Sequence, residues 1–173
     1  MEPKLFHKKS QYVIFCCVLL FFLLPRQDTA YAEDKIAIGS VEDVMLLPWG
    51  ITLKARIDTG AAISSLDVCE ITRKEKNEVE FRLSKRTGGF QVRLPVKAWK
   101  KIRSPEGPIE RRPIVELEIC LGPKRFRTEV TLNDRSHMDY PLLIGRKTLE
   151  GKFVVDVSRS CTSPPSCSKD LSP

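Results

Sequence analysis

The chain has 173 residues and a formal net charge of +7, from 29 Lys and Arg against 22 Asp and Glu. That length allows one domain with tails and excludes a large multidomain enzyme. A hydrophobic fraction of 42% supports a buried core, and the 2 histidines, His7 and His137, leave little room for histidine-based chemistry.

Lys4, His7, Lys8 and Lys9 give a basic start, and residues 12–24 follow without a charge. Pro25 breaks that run, and Ala30-Tyr31-Ala32 places small residues where a signal peptidase reads. This order predicts a secretory signal peptide over residues 1–32, cleaved after Ala32, and a periplasmic or secreted protein. The apolar run is shorter than the ~20 residues of a spanning helix, so no stable membrane insertion is expected after cleavage. Beyond it, positive charge is spread over residues 73–76, 97–103 and 124–127, each interrupted by acidic or apolar residues. No aromatic interleaving suggests a stacking platform, and nucleic acid is not an expected partner. A weak preference for acidic ligands fits the charge.

The domain itself reads as all-β. Residues 41–48 are an apolar run that ends at Pro48-Trp49-Gly50. Ile51, Leu53, Ala55 and Ile57 alternate with Thr52, Lys54 and Arg56, the period of a half-buried strand. Val79, Phe81 and Leu83 alternate with Glu80 and Arg82, and Thr87-Gly88-Gly89 separates them from residues 90–94, a hairpin signal. Residues 114–121 and 126–132 flank a Gly122-Pro123 turn, and residues 141–144 form a further apolar strand. Only residues 146–150, between Gly145 and Gly151, suggest a helix. Short strands with regular turn signals predict a small barrel or sandwich over residues 33–157. The Ser/Pro-rich residues 158–173 hold too little apolar matter to pack and are expected to be mobile.

Cys69, Cys120, Cys161 and Cys167 remain after the signal segment. In an oxidising compartment an even number invites disulfides, and three pairings are open; Cys161 and Cys167 could close a small loop. With no CxxC and one histidine beyond the signal segment, neither a metal nor another cofactor is expected.

The motif that suggests chemistry is Asp58-Thr59-Gly60, at the end of the alternating strand 51–57. Alone it is an ordinary polar turn. A second segment, Pro141-Leu142-Leu143-Ile144-Gly145-Arg146, enters the short helix. Together, in this order on an all-β background, the two resemble a retropepsin, the single-domain aspartic protease. Ala55-Arg56-Ile57-Asp58-Thr59-Gly60-Ala61 with Ser64-Ser65-Leu66 is similar to a bacterial group often labelled ATP-dependent zinc protease and better described as retropepsin-like aspartic endopeptidases. So are Arg111-Arg112-Pro113-Ile114-Val115, residues 129–135, Met138 and Tyr140-Pro141. The likeness spans roughly residues 40–157. No GxxxxGK[ST] loop or HExxH accompanies that label's ATP and zinc.

The resemblance implies a small closed barrel with one short helix after Gly145-Arg146, and an exported aspartic endopeptidase. Aspartic proteolysis needs two carboxylates sharing one proton, because neighbouring like charges do not both ionise cheaply. No second such motif exists in this chain, so a homodimer meeting at Asp58 would complete the dyad. Thr59 and Gly60 would support it, while Ala61 and a flap at Gly88 and Gly89 would hold a peptide or protein substrate. Asp134, Arg135 and Arg146 are candidate structural or substrate contacts; Ala62 stands where retroviral relatives place an acidic partner for the arginine. His137 and the Ser64-Ser65 pair read as a surface residue and local hydrogen bonders. Two other readings fit the same residues: a barrel of this fold that binds peptide without cutting it, and a metallopeptidase.

Overall fold

A computed structural model describes residues 34–47, 49–103 and 109–167. The expected signal peptide lies outside them. Ten strands follow in chain order: β1 (Ile36–Ile38), β2 (Val41–Leu47), β3 (Ile51–Asp58), β4 (Ser64–Arg73), β5 (Glu78–Leu83), β6 (Gln91–Arg103), β7 (Ile109–Leu121), β8 (Lys124–Asn133), β9 (Leu142–Gly145) and β10 (Phe153–Val155). A one-turn helix, α1 (Arg146–Leu149), follows β9, and a 3-10 turn spans Lys85–Thr87. The all-β expectation and the single short helix both hold.

Strand pairing closes a ring. β2 pairs with β3, β3 with β9, β9 with β4, β4 with β8, β8 with β7, and β7 returns to β2 through Val44–Leu121 to Leu47–Glu118. Closure removes the exposed edges that an open sheet of these short strands would present. The β5–β6 hairpin bridges the outside of this ring, pairing with β4 on one side and carrying β6 against β7 on the other. β1 and β10 form a separate parallel pair.

The period-two pattern explains the inside. Leu53, Ala55 and Ile57 of β3 are buried, whereas Thr52, Lys54 and Arg56 are exposed. Leu66, Phe81, Ile119, Leu132, Leu142 and Ile144 fill the core with almost no exposure. Each such side chain contributes about 1.5–3 kcal/mol on burial. β4 gave a weaker signal, because its first five residues are all buried and its last five are not. It lies between β9 and β8 at one end, and at the other a register shift between Cys69 and Thr72 carries it onto β5.

Residues 158–167, expected to be mobile, are held on the barrel. The buried carboxylate of Glu42 accepts hydrogen bonds from the N–H of Gly39 (2.5 Å), the N–H and hydroxyl of Thr162 (3.1 and 2.8 Å) and the N–H of Ser163 (3.0 Å). Cys161 N–H donates to the Val41 carbonyl and Ser166 N–H to that of Gly122. A disulfide joins Cys120 of β7 to Cys167, leaving Cys69 and Cys161 free. The tail therefore lacks a core of its own, as its composition indicated, and is fixed by polar contacts and one covalent bond instead.

Two outcomes follow. Cys120→Ser should lower stability by about 2–4 kcal/mol in urea denaturation, because the bridge closes a long loop in the unfolded chain, with amide exchange rising in residues 158–167. Burial alone would raise the Glu42 pKa, but the donors from Gly39, Ser163 and Thr162 outweigh it and hold the group below its ordinary value. That stabilisation is full above the unfolded pKa of about 4.3 and is lost as pH falls through the lower folded value. Thermal melts of Glu42→Gln should show a shallower acid limb than wild type.

Candidate functional site

The end of β3 turns sharply at Asp58-Thr59-Gly60. The Asp58 carboxylate folds back on its own turn, its Oδ1 accepting from the N–H of Gly60 (2.9 Å) and of Ala61 (3.2 Å). Asp58 is half-buried, and Thr59 and Gly60 are exposed. The strand that fixes this turn is β9, whose Gly145 lies opposite Asp58 in a parallel ladder.

Gly145 is there for space. A Cβ at this position would lie 2.7–2.9 Å from backbone atoms of Ile63, closer than any side chain tolerates. The close approach lets Gly145 N–H reach Ser64 Oγ at 3.1 Å, and Arg146 N–H reach the Ala61 carbonyl at 2.8 Å. Ser64 Oγ also shares a hydrogen bond with Thr148 Oγ1 at 2.7 Å, which meets Thr128 Oγ1 at the same distance. The Arg146 guanidinium completes the clamp, its Nη1 donating to the carbonyls of Thr59 (2.8 Å) and Gly60 (2.7 Å). An acidic partner at Ala62 is therefore unnecessary: backbone oxygens of the Asp58 turn take its place.

Beside this clamp opens a cavity of about 550 Å³, lined in part by Lys35, Thr59, Arg146, Leu149, Phe153 and Val155. It brings two cations, Lys35 and Arg146, and the carboxylate of Glu150 together with apolar Leu149, Phe153 and Val155, a net positive setting that an acidic group on a methylene stem can enter.

The remaining expected site residues are dispersed. Gly88 packs against Phe90 and Ile51, and Phe90 meets Trp49 edge-on with ring centroids 6.0 Å apart. Gly88 therefore packs at the Ile51 end of β3, and Asp58 stands at the other end. Asp134 and Arg135 do not pair with each other. Asp134 is exposed and caps Ser136, whose hydroxyl and N–H hold its pKa below the ordinary value. Arg135 turns inward and is buried.

Asp67 is the residue that motif reading passed over. Only 1% exposed, it accepts from Arg135 N–H (2.7 Å) and from Arg86 Nη2 (2.9 Å). Arg86 also donates to the carbonyls of Met138 and Arg135, so it ties the 3-10 turn to the segment after β8. Ser65 Oγ bonds Asn133 Oδ1, and Asn133 lies opposite Asp67. The serine pair, expected to bond locally, spans β4, β8, β9 and α1 instead. An aspartate inside an otherwise apolar run was the available signal.

Comparison with known proteins places the domain. A family model described as RimB-like, retropepsin-like aspartic endopeptidase RimB, matches residues 37–166. The chain belongs to this RimB-like family. A solved structure, that of the protein Lpg0085 of unknown function from Legionella pneumophila, is 32% identical with a TM-score of 0.64, covering 75% of this chain and 98% of the other. Curated relatives carry a different description. Probable alpha-L-glutamate ligases from Parasynechococcus marenigrum (32% identical over 130 residues, 70% of this chain) and Shewanella halifaxensis (31% over 137 residues, 75% of this chain) match it. The chain spans only 28% and 30% of their respective lengths.

These relatives overturn the expectation of an aspartic endopeptidase, or of any peptide-bond hydrolase, acting through an Asp58 dyad. They are named as ligases, whereas the RimB-like likeness gives the fold and the family.

The geometry yields two expected outcomes. Gly145→Ala should cost about 1–3 kcal/mol, since the rigid Ile63 backbone must move, and should broaden the amide signals of Gly60 and Ala61. Asp67→Ala should cost more, about 3–5 kcal/mol in chemical denaturation, because it strands the buried Arg135 N–H and removes the carboxylate that pairs with Arg86.

Proposed function

We propose that this chain is a domain of alpha-L-glutamate ligation that holds the glutamyl-bearing or glutamate-accepting polypeptide. The observation that carries this reading is the match to proteins named probable alpha-L-glutamate ligases, over a segment that makes up 28–30% of each. A part of that size is a module of the larger protein, and this chain keeps its family fold.

The site supports the reading through its chemistry. A glutamyl peptide presents carboxylates on short methylene stems. In the cavity beside the Asp58 turn, Lys35 and Arg146 supply two cations against the single carboxylate of Glu150, while Leu149, Phe153 and Val155 supply apolar surface. The formal net charge of +7 favours encounter with such an acidic chain. Arg146 is already committed to Thr59 and Gly60 through Nη1, so a peptide there meets a cation held in place by the turn. Lys35 precedes β1 and stands at the rim. In this reading the RimB-like barrel acts in a periplasmic or secreted setting on a peptide partner, and Asp58 shapes the turn that bears the cavity.

Isothermal titration of the full chain with amidated tetraglutamate and tetraglutamine tests it. Tetraglutamate should bind at least about tenfold more tightly, an advantage of ~1.4 kcal/mol, and the difference should shrink with salt as exposed charges are screened. Lys35→Gln should weaken tetraglutamate binding and leave tetraglutamine unchanged. Equal affinity for the two peptides would remove the basis of the proposal.

A further inference from the structure

From Ala98 on, β6 pairs with β7 alone, and up to Pro113 β7 pairs with β6 alone. The two strands leave the barrel as a ribbon that runs out to Arg103 and returns from Ile109. A two-stranded ribbon gains little stability by itself, and this one carries charge that works against it. Lys100 lies opposite Arg112, and Lys101 lies opposite Arg111. Like charges directly across a ladder, with Cβ atoms about 4.5–5.5 Å apart, repel each other. Arg112 is relieved by Glu110, whose carboxylate stands 2.7 Å from its Nη2. Lys100, Lys101 and Arg111 are exposed and have no carboxylate partner among the described residues.

The pleat distributes these cations. Successive residues face opposite sides of the ribbon, so Lys101 and Arg111 share one face with Trp99 and Pro113. Lys100 and Arg112 share the other with Ile102 and Glu110. At the root of the first face the Arg73 guanidinium stands over the Trp99 ring, 5.7 Å from its centroid. At the far end Ile109, on the outermost described rung, is 56% exposed. Residues 97–113 hold six lysines and arginines against Glu106 and Glu110.

We infer that this ribbon is a docking arm that sets the barrel, end-on and reversibly, against an anionic phospholipid bilayer. Cations on both faces and an apolar residue at the far end match such a surface. Ile109 enters the interface, while Lys100, Lys101 and Arg111 reach phosphate groups from either side on their apolar stems. An acidic polypeptide lying along one face would leave the cation of the other face unmatched and would gain nothing from Ile109. Attraction to the bilayer fades within a Debye length of ~8 Å at physiological salt, so cations close to the end of the arm matter most. This docking uses neither Lys35 nor Arg146 and is separate from the cavity beside Asp58.

Sedimentation of the full chain with vesicles tests the arm, comparing phosphatidylcholine alone with a mixture containing about 30% phosphatidylglycerol, which supplies the negative surface charge. Lys101→Gln/Arg111→Gln should lower partitioning onto the anionic vesicles at least about tenfold, since each cation near the surface is worth roughly fivefold. It should leave partitioning onto phosphatidylcholine unchanged, which separates the arm from any contribution of the apolar residues 12–24. Lys124→Gln/Arg125→Gln, the same loss of charge at the other end of β7, should bind within about twofold of wild type. Arg111→Glu gives Lys101 an opposite charge across the ladder, so the melting temperature should hold or rise while anionic-vesicle binding falls further. A merely structural role for the pair would move stability and binding together. In Ile109→Trp, fluorescence should shift to the blue on anionic vesicles and be quenched by brominated lipid. Anionic-vesicle binding unaltered in Lys101→Gln/Arg111→Gln, or Ile109→Trp fluorescence that brominated lipid leaves untouched, overturns the arm. Affinity for amidated tetraglutamate that falls in Lys101→Gln/Arg111→Gln while vesicle binding does not would assign the ribbon to an acidic polypeptide and overturn the bilayer. Vesicle binding lost with tetraglutamate affinity intact supports the arm, whatever Lys35→Gln does at the cavity.

Discussion

Everything at the Asp58 end of the barrel depends on how closely two backbones approach at Gly145. With no side chain there, β9 lies against Ile63, and four hydrogen bonds become available within a few ångströms: Gly145 to Ser64, Arg146 to Ala61, and the Arg146 guanidinium to Thr59 and to Gly60. The bond between Gly145 and Ser64 satisfies buried polar groups that would otherwise be stranded in the core. The turn carrying Asp58 is thus held from outside by α1 and from inside by its own carboxylate. A longer side chain at position 145 would separate these elements, and the adjoining cavity would lose its wall at Thr59 and Arg146.

The outer side of the barrel shows a different economy of charge. Polar residues Ser65, Asp67, Asn133 and Arg135 are buried there, where an all-β barrel would ordinarily place apolar or solvated groups. Asp67 organises them, as counter-charge to Arg86 and as acceptor for the Arg135 amide. The burial of Asp67 makes these interactions stronger than the same pairs would be in water.

The family model and the curated relatives carry different activity names. The RimB-like likeness and the 32% identical Legionella structure agree on the barrel, while the curated relatives that contain the same segment are named for ligation. A barrel of this kind is a scaffold whose function resides in the side chains grafted on it. The cavity beside the Asp58 turn, with Lys35 and Arg146 in its lining, is one such graft.

The sequence by itself determined the all-β class, the alternation that buries Leu53, Ala55 and Ile57, the single helix after Gly145, and the family likeness. These are legible because they depend on period, turn residues and local order. Ring closure through β2 and β7, the Cys120–Cys167 bridge, and the docking of residues 158–167 on Glu42 needed the tertiary structure. So did the packing of Gly88 against Phe90 and Ile51 and the pairing of Asp67 with Arg86. All of them join residues distant in the chain, and only the register of paired strands decides which of those residues meet.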